Sequence, residues 1–356
     1  MAQTDSPPIK CVAWDLDGTL WSGVALESAP ALPELDELAL TAIDELEKQG
    51  ILNSIASRNP PDVLELAESH PRLRGRFVAP QVGWGRKSAA LRMLAEQLNI
   101  ELESIALVDD DPFERAEVAH MLGVVRVLTL EELTAMLRDH AFSGGKTQES
   151  RRRVDAYRAA EQRREAAAAR GGSYEDFLRW CEIVATLAPA SPDDAARLAE
   201  LAVRTNRFNS TRRLIDEEGF LARIGEPEWL VATMRLRDRF ADDGLVAAAS
   251  VDVRAPARPA VELLCVSCRT VGRGGAQTLL VALVRAARSL GASTLAVPCL
   301  LDDRNLPLRI ALRETGFTAA RDAREPRTGL FSRAVEPPPE HADWLVVEDT
   351  LADARR

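Results

Sequence analysis

The stretch Val12-Ala13-Trp14-Asp15-Leu16-Asp17-Gly18-Thr19-Leu20 sets two carboxylates and a hydroxyl directly behind a short apolar run. A strand ending this way in an open α/β sheet delivers those side chains to the crevice at the carboxyl ends of the strands. Three more segments follow the same logic. Ser57 closes Ile51-Leu52-Asn53-Ser54-Ile55-Ala56, Lys87 opens a helical pattern over 87–94, and Asp109-Asp110-Asp111 follow Ile105-Ala106-Leu107-Val108. If all four emerge at one sheet edge, a phosphate meets a carboxylate nucleophile, a hydroxyl, an ammonium and a bound Mg²⁺, so phosphoryl transfer is the expected chemistry. A lone Asp-x-Asp is more often a solvated turn, and four segments in this order weigh against that reading. Asp111 has a second reading as the cap of a helix beginning at Pro112.

Hydrophobic patterning supplies the frame. Apolar runs at 9–15, 50–57, 76–82, 104–109 and 124–129 alternate with helical patterns near 33–49, 60–69, 87–98, 112–121 and 130–138. That alternation predicts an α/β fold with a parallel sheet covered on both faces. Only 41 residues separate Asp15 from Ser57, and 29 separate Ser57 from Lys87. After a helix and a strand are subtracted, neither interval has room for a cap domain. The expected site is open, and its substrate is large, tethered, or covered by the rest of the chain.

Composition agrees with an enzyme expected in the cytoplasm. A chain of 356 residues, 46% hydrophobic, suits about two domains. The start lacks the pattern of a secretory leader, and no apolar run approaches a membrane span. A net charge of −10 argues against a general nucleic-acid surface. Five cysteines do not make a disulfide framework.

After Ser143-Gly144-Gly145-Lys146 the chain turns rich in Ala, Arg and Glu, with seven arginines against three acids over 151–170. This suits a solvated connecting helix or, alternatively, a basic face for an acidic partner. Helix starts are expected at Ser173-Tyr174-Glu175-Asp176 and at Ser191-Pro192-Asp193-Asp194. Runs at 228–236 and 244–251 read as adjacent antiparallel strands. A third, 260–268, leads into Arg269-Thr270-Val271-Gly272-Arg273-Gly274-Gly275 and a helix over 274–290. A glycine loop between strand and helix presents backbone N–H groups at the positive end of the helix dipole, which suits a pyrophosphate.

Residues 8–130 resemble the haloacid dehalogenase (HAD) superfamily of phosphatases. The resemblance implies Asp15 as a nucleophile forming an aspartyl-phosphate, Asp17 as general acid/base, Thr19 and Ser57 on the phosphoryl oxygens, and Lys87 balancing charge. It implies Mg²⁺ as cofactor, with Asp15, Asp17, Asp109 and Asp110 as its ligands. The later segment, with strand 294–299, Asn305, a further helix and Glu314-Thr315-Gly316-Phe317, resembles GNAT-type acyltransferases. In that fold the glycine loop holds a pyrophosphate and the pantetheine arm lies along the splayed end of the preceding strand. The expected fold class is therefore α/β, a capless HAD-type Rossmann-like parallel sheet followed by a GNAT-like α/β domain.

The combination is similar to the FkbH-like proteins over nearly the whole chain. The carrying residues are Asp15-Leu16-Asp17-Gly18-Thr19-Leu20-Trp21, Ala56-Ser57-Arg58-Asn59, Trp84 with Lys87, and Val108 through Arg115. Later ones are Thr205-Asn206-Arg207-Phe208-Asn209 with Thr211 and Arg213, Arg237-Asp238-Arg239-Phe240 with Gly244, and Ser267-Cys268-Arg269 with Gly272-Arg273-Gly274. The resemblance implies an enzyme that takes 1,3-bisphosphoglycerate, releases phosphate and loads a glyceryl unit onto an acyl carrier protein for polyketide assembly. Cys268 would carry the glyceryl thioester. Arg58, Asn59, Asn206, Asn209, Thr211, Arg213 and Arg237 would join Thr19, Ser57 and Lys87 in binding substrate. Arg269, Gly272, Arg273 and Gly274 would hold the carrier's phosphopantetheine. Gly18, Asp111 and Arg207 depart from the family, which usually has Asn, Asn and Gln there.

Cys265-x-x-Cys268 also has redox or half-zinc-site spacing, but no second pair accompanies it, and positions three apart on a strand face opposite sides. A buried, inert cysteine is the competing reading of Cys268. His70, His120, His140 and His341 lie outside the motifs, so no base for Cys268 is evident. The expected organisation is a phosphatase domain over 1–145, a helical connector over 146–190, a GNAT-like domain over 191–335 and a tail over 336–356, whose Trp344-Leu345-Val346-Val347 can dock back. Two rivals remain open. One is a stand-alone Mg-dependent HAD phosphatase with a non-catalytic acyl-CoA-sensing domain. The other is a scaffold that binds carrier protein through the basic helix.

Overall fold

The computed structural model describes residues 8–24, 33–139, 153–321 and 327–351; Ser143-Gly144-Gly145-Lys146, with the expected boundary at 145, and Arg151 and Arg152 lie outside them. The chain is α/β and divides into two compact units, Met1–Glu161 and Gln162–Arg356, the cut falling inside the helix Arg153–Arg170.

In the first unit, β1 (Cys11–Trp14), β2 (Leu52–Ser57), β3 (Gln81–Val82), β4 (Ile105–Val108) and β5 (Arg126–Leu128) form one parallel sheet in the order β3-β2-β1-β4-β5. Every residue of β1, β2 and β4 is buried, as strands covered on both faces must be. The two-residue period of a strand sorts them. Val12, Trp14, Ile55, Ala106 and Val108 pack with the helices Glu37–Lys48, Val63–Ser69 and Leu130–Arg138, while Cys11, Ala13, Leu52, Ala56, Ile105 and Leu107 face the helices Lys87–Leu98 and Pro112–Leu122. Because all five strands are parallel, every loop from strand to helix leaves at the same edge.

Helix starts follow the side chains that can satisfy their free amides. Asp36 accepts from the Leu38 and Ala39 amides, Thr129 and Glu132 form a capping box, and Asp111 accepts from the Phe113 amide at 2.8 Å with Pro112 in the first turn. The cap reading of Asp111 is the one observed.

The second unit carries an eight-stranded mixed sheet in the order β11-β12-β10-β9-β8-β7-β6-β13. Its strands are β6 (Ile183–Pro189), β7 (Trp229–Arg237), β8 (Asp242–Asp252), β9 (Ala260–Val266), β10 (Thr294–Leu300), β11 (Thr318–Arg321), β12 (Thr328–Ala334) and β13 (Leu345–Asp349). The helix Gly275–Ser289 covers one face, and Ala195–Arg204 with Glu217–Leu221 covers the other. The expected boundaries differ at two places. Residues 183–189, assigned to a connector, are a strand of this sheet, and 345–349, assigned to a tail, pair parallel to them from Leu345–Ile183 to Asp349–Leu187. Within the basic helix, Arg153 donates to the Gly50 carbonyl at 2.6 Å and Arg163 is buried in ion pairs, so these two are spent inside the protein rather than on a basic face.

One irregularity governs the second unit. β9 and β10 are parallel neighbours yet pair only at Ala260 and Ala296. On β10 the amides of residues 296, 298 and 300 point the same way. Ala296 donates to the Pro259 carbonyl, Pro298 has no N–H to give, and Leu300 donates to the Ser210 carbonyl at 2.9 Å. The ladder therefore ends at Pro298, and residues 208–210 fill the gap. The Ser210 amide donates to Leu264, the Val266 amide donates to Phe208, and Asn305 Nδ2 donates to the Asn209 carbonyl.

Trp14 is fully buried and donates through Nε1 to Asn53 Oδ1 at 2.9 Å, while Asn53 Nδ2 has no partner among the described residues. Trp14→Phe leaves a second orphaned atom on Asn53 and is expected to cost about 1–3 kcal/mol in a urea melt; adding Asn53→Leu, which removes both orphans, should recover part of it.

Candidate active site

Parallel pairing of Trp14 with Val108 sets Asp15 and Asp109 side by side at the carboxyl edge of the first sheet. The Asp15 amide donates to the Val108 carbonyl at 2.9 Å, which fixes that register at its last residue. Lys87, first residue of its helix and buried, sends Nζ to within 2.8 Å of Asp15 Oδ1, bonds Asp109 Oδ2, and lies 3.9 Å from Glu114. The Ser57 hydroxyl also hydrogen-bonds the Asp15 carboxylate. Thr19 Oγ1 accepts from the Asp110 amide at 3.0 Å and donates to Asp110 Oδ1 at 3.2 Å, tying the first loop to the fourth.

The charges do not balance locally. Burial, with the neighbouring Asp109 charge, raises the Asp15 carboxyl to about 6 against the opposing pull of Lys87 and Ser57. Burial raises Asp109 as well. For Lys87 burial works against the ammonium, but the charges of Asp15 and Asp109 outweigh it and hold its pKa above the ordinary value. One oxygen from each of Asp15, Asp109 and Asp110 lies within 4.8 Å of the others, two of these residues buried and one exposed. Three hard oxygen donors carrying more negative charge than one ammonium offsets fit a divalent cation such as Mg²⁺.

Asp17, expected as a fourth metal ligand, lies outside the cluster of carboxylate oxygens. Its Oδ1 accepts from Trp21 Nε1 at 2.7 Å and its Oδ2 from Asn59 Nδ2 at 3.0 Å. Asn59 Nδ2 also donates to Ser57 Oγ at 3.0 Å, so Asn59 links the first loop to the second. Arg58 pairs with Glu114 at 2.7 Å.

In the second unit, the turn Cys268–Thr270 leads through Gly272 and Gly274 into the helix Gly275–Ser289. A Cβ on Gly275 would meet Thr270 at 2.6 Å, so only glycine lets the loop close on the helix start. A cavity of about 810 Å³ opens there, walled by Thr270, Gly272, Gly274, Phe208, Tyr174 and Trp344, with His341 further along. Burial, then the charge of Arg285, lowers the His341 imidazole to about 4. Neither ring nitrogen of His341 nor Trp344 Nε1 has a hydrogen-bond partner among the described residues.

Several residues expected at this site do other work. Arg273 is buried and pairs with Asp238 at 2.8 Å and Asp243 at 2.6 Å, Arg163 joins Asp238 at 2.7 Å, and Arg269 lies 3.8 Å from Asp243. These side chains anchor the glycine loop to the hairpin of β7 and β8, and phosphopantetheine is not what their geometry addresses. Asn209 is buried, donates to the Ala202 carbonyl at 3.0 Å and accepts from the Arg212 amide at 2.8 Å. Thr211 donates to the Glu262 carbonyl at 3.1 Å, Arg213 pairs with Glu262, and Arg237 is exposed at the end of β7. None of Asn206, Asn209, Thr211, Arg213, Arg237 or Cys268 lines the cavity. Between β9 and β10 the expected splay is occupied by residues 208–210. Cys268 is partly exposed, whereas Cys265 is buried and its thiol pushed up to about 12 by that burial; none of the five cysteines is disulfide-bonded.

No protein-family model matches this sequence, and no curated protein does. Among solved structures, the chain is similar to the N-terminal part of the Bacteroides fragilis protein BF1531, which contains a phosphatase domain complexed with Mg, at 24% identity and a TM-score of 0.33; the match covers 37% of this chain and spans 39% of that one. It is also similar to the Escherichia coli ribosomal-protein-S18-alanine N-acetyltransferase, at 14% identity, TM-score 0.32, 44% of this chain and 98% of that one. A third is the PaiA N-acetyltransferase of Thermoplasma acidophilum in complex with coenzyme A, at 13% identity, TM-score 0.32, 42% of this chain and 98% of that one.

Tyr174, His341 and Trp344 escaped the sequence reading because the cavity they wall is built from segments far apart in the chain; the apolar run after Trp344 was the only signal. Two outcomes follow from the geometry. Gly18 has φ +71°, and a Cβ there would strike the Asp110 carboxylate, so Gly18→Ala is expected to raise the Mg²⁺ concentration for half-maximal thermal stabilisation about tenfold. For Asp238, burial pushes the carboxyl up, but the Arg163 hydrogen bond and the Arg163 and Arg273 charges outweigh it, leaving the pKa below the ordinary value. A depressed folded pKa contributes stability above about pH 4 that is lost as pH falls through it. Asp238→Asn should cost about 3–5 kcal/mol at neutral pH and flatten the acid limb of a melting-temperature profile.

Proposed function

We propose that the chain is a bifunctional enzyme of the FkbH-like kind, a Mg²⁺-dependent HAD-type phosphatase joined to a GNAT-like acyltransferase. It takes 1,3-bisphosphoglycerate and loads a glyceryl unit onto an acyl carrier protein for polyketide assembly. The observation that carries the reading is the meeting of Asp15, Ser57, Lys87, Asp109 and Asp110 at one edge of the parallel sheet. No helix among the described residues is long and apolar enough to cross a membrane.

In the phosphatase step an Asp15 oxygen attacks phosphorus and the ester P–O bond breaks. The leaving oxygen takes a proton from Asp17, which Trp21 and Asn59 orient. Water then attacks the phosphoaspartate, gives its proton to Asp17, and inorganic phosphate departs. Mg²⁺ held by Asp15, Asp109 and Asp110 would offset phosphoryl charge, and Lys87 holds Asp15 in line. In the acyl step Cys268 Sγ attacks the acyl-phosphate carbonyl, a C–S bond replaces the C–O bond, and phosphate leaves. The carrier's phosphopantetheine thiol then displaces Cys268, one thioester for another, so positioning matters more than driving force. The glycine loop and its cavity support an approach of the prosthetic arm from that side.

A second reading has its own support. Residues 208–210 close the gap beside β9 and Cys268 stays out of the cavity, which favours a phosphatase whose second unit senses an acyl-CoA without catalysis. Mass spectrometry after incubation with 1,3-bisphosphoglycerate separates the two. A glyceryl mass on the chain, absent in Cys268→Ala and passed to carrier protein, is expected; phosphate release with no adduct favours the sensor. Asp15→Asn should stop release of the distal phosphate, so that any trapped acyl group keeps it, and chelation should stop that release until Mg²⁺ is restored.

A further inference from the structure

The first unit holds a second, smaller cavity of about 150 Å³. Its wall includes Ser57 and Lys87, both in contact with Asp15, together with Arg58, Gly85, Arg86 and Met93. The two arginines differ. Arg58 is already paired with Glu114. Arg86 is exposed, and its guanidinium has no hydrogen bond or ion pair among the described residues. It stands at the N-terminal end of the 12-residue helix Lys87–Leu98, where its own side chain makes no cap and the Ser88 amide donates instead to Glu117 at 3.2 Å. The neighbouring Trp84, between Gly83 and Gly85, is 65% exposed and offers an apolar face on the same loop.

A phosphoryl group at Asp15 is surrounded by acids with one ammonium among them. A second negative group on the same substrate is tolerated only where an unneutralised cation waits for it, and Arg86 is that cation. We infer that this cavity is a subsite for the non-phosphoryl end of the substrate, and that Arg86 selects phosphoesters whose far end is a carboxylate or an acyl phosphate. The inference rests on the phosphatase reading of Asp15 and goes beyond it in naming the residue that reads the far end of the substrate and in the order of the two steps. Thioester formation removes the negative charge at the acid end, so the ester is cut while that end is still anionic, before the acyl group reaches sulfur.

3-Phosphoglycerate and glycerol 3-phosphate are the probes, since they share a phosphomonoester on a three-carbon chain and differ in charge at the far end. With full-length protein and Mg²⁺, kcat/KM should favour the acid by about tenfold, the worth of one charge-assisted hydrogen bond. Arg86→Ala should bring the ratio toward one, chiefly through KM, and Arg86→Lys should restore part of it. Calorimetric titration of Asp15→Asn reads the subsite without turnover: 3-phosphoglycerate should bind more tightly, and the preference should vanish when Arg86→Ala is added. Equal affinities, binding of neither probe, or a preference that survives Arg86→Ala would overturn the subsite. An Arg86-dependent binding preference without hydrolysis of either ester would keep the subsite and remove the phosphatase reading.

Discussion

Lys87, buried between Asp15 and Asp109, is the interaction on which the first unit turns. Two carboxylates brought to one spot out of water repel each other, and an ammonium between them makes the approach bearable. The backbone prepares it. The pairing of Trp14 with Val108 leaves the next residue of each strand flush at the sheet edge, and a helix beginning at residue 87 projects its first side chain between them. Removing the lysine would leave buried charge without a counterion, and adding a third carboxylate, Asp110, leaves more negative charge than the lysine offsets. The site is stable as protein and still short of positive charge, which is the condition for drawing in a metal ion and a phosphate together.

That arrangement was legible because each of its parts is local. An apolar run that ends in polar residues says where a strand stops, and parallel topology brings all such ends to one edge. What escaped was set by pairing across distance. β6 reads Ile183-Val184-Ala185-Thr186-Leu187-Ala188-Pro189, apolar but for Thr186, yet its partners β7 and β13 come from distant segments, and β13 is recognisable only beside it. The hydrogen bonds of Asp17 to Trp21 and Asn59 could not be read from its motif, since Asn59 comes from the second loop. Arg273 reads as a phosphate holder because it lies in a glycine loop, and nothing nearby in sequence announces Asp238 and Asp243 as its partners.

Pro298 shows how a single residue can redirect a site. A missing N–H on β10 stops one ladder, and the vacated bonds are taken up by residues 208–210, whose carbonyls and amides then serve both flanking strands. Asn209 and Thr211 consequently spend their polar groups on backbone. Phe208, carried by the same insert, becomes part of the wall of the glycine-loop cavity. The structural plug and part of the cavity wall are thus one segment.

The buried ion cluster behind the glycine loop acts on the same cavity without touching it. Arg163, Arg269 and Arg273 face Asp238 and Asp243, and two of these arginines belong to the loop itself. A guanidinium that keeps its carboxylate partner cannot reach out to a phosphate, yet its charge is little screened where water is excluded. The arginine side chains of the loop are therefore spent on holding it in place. Removing Arg273 would cost the loop its anchor to β7 and β8.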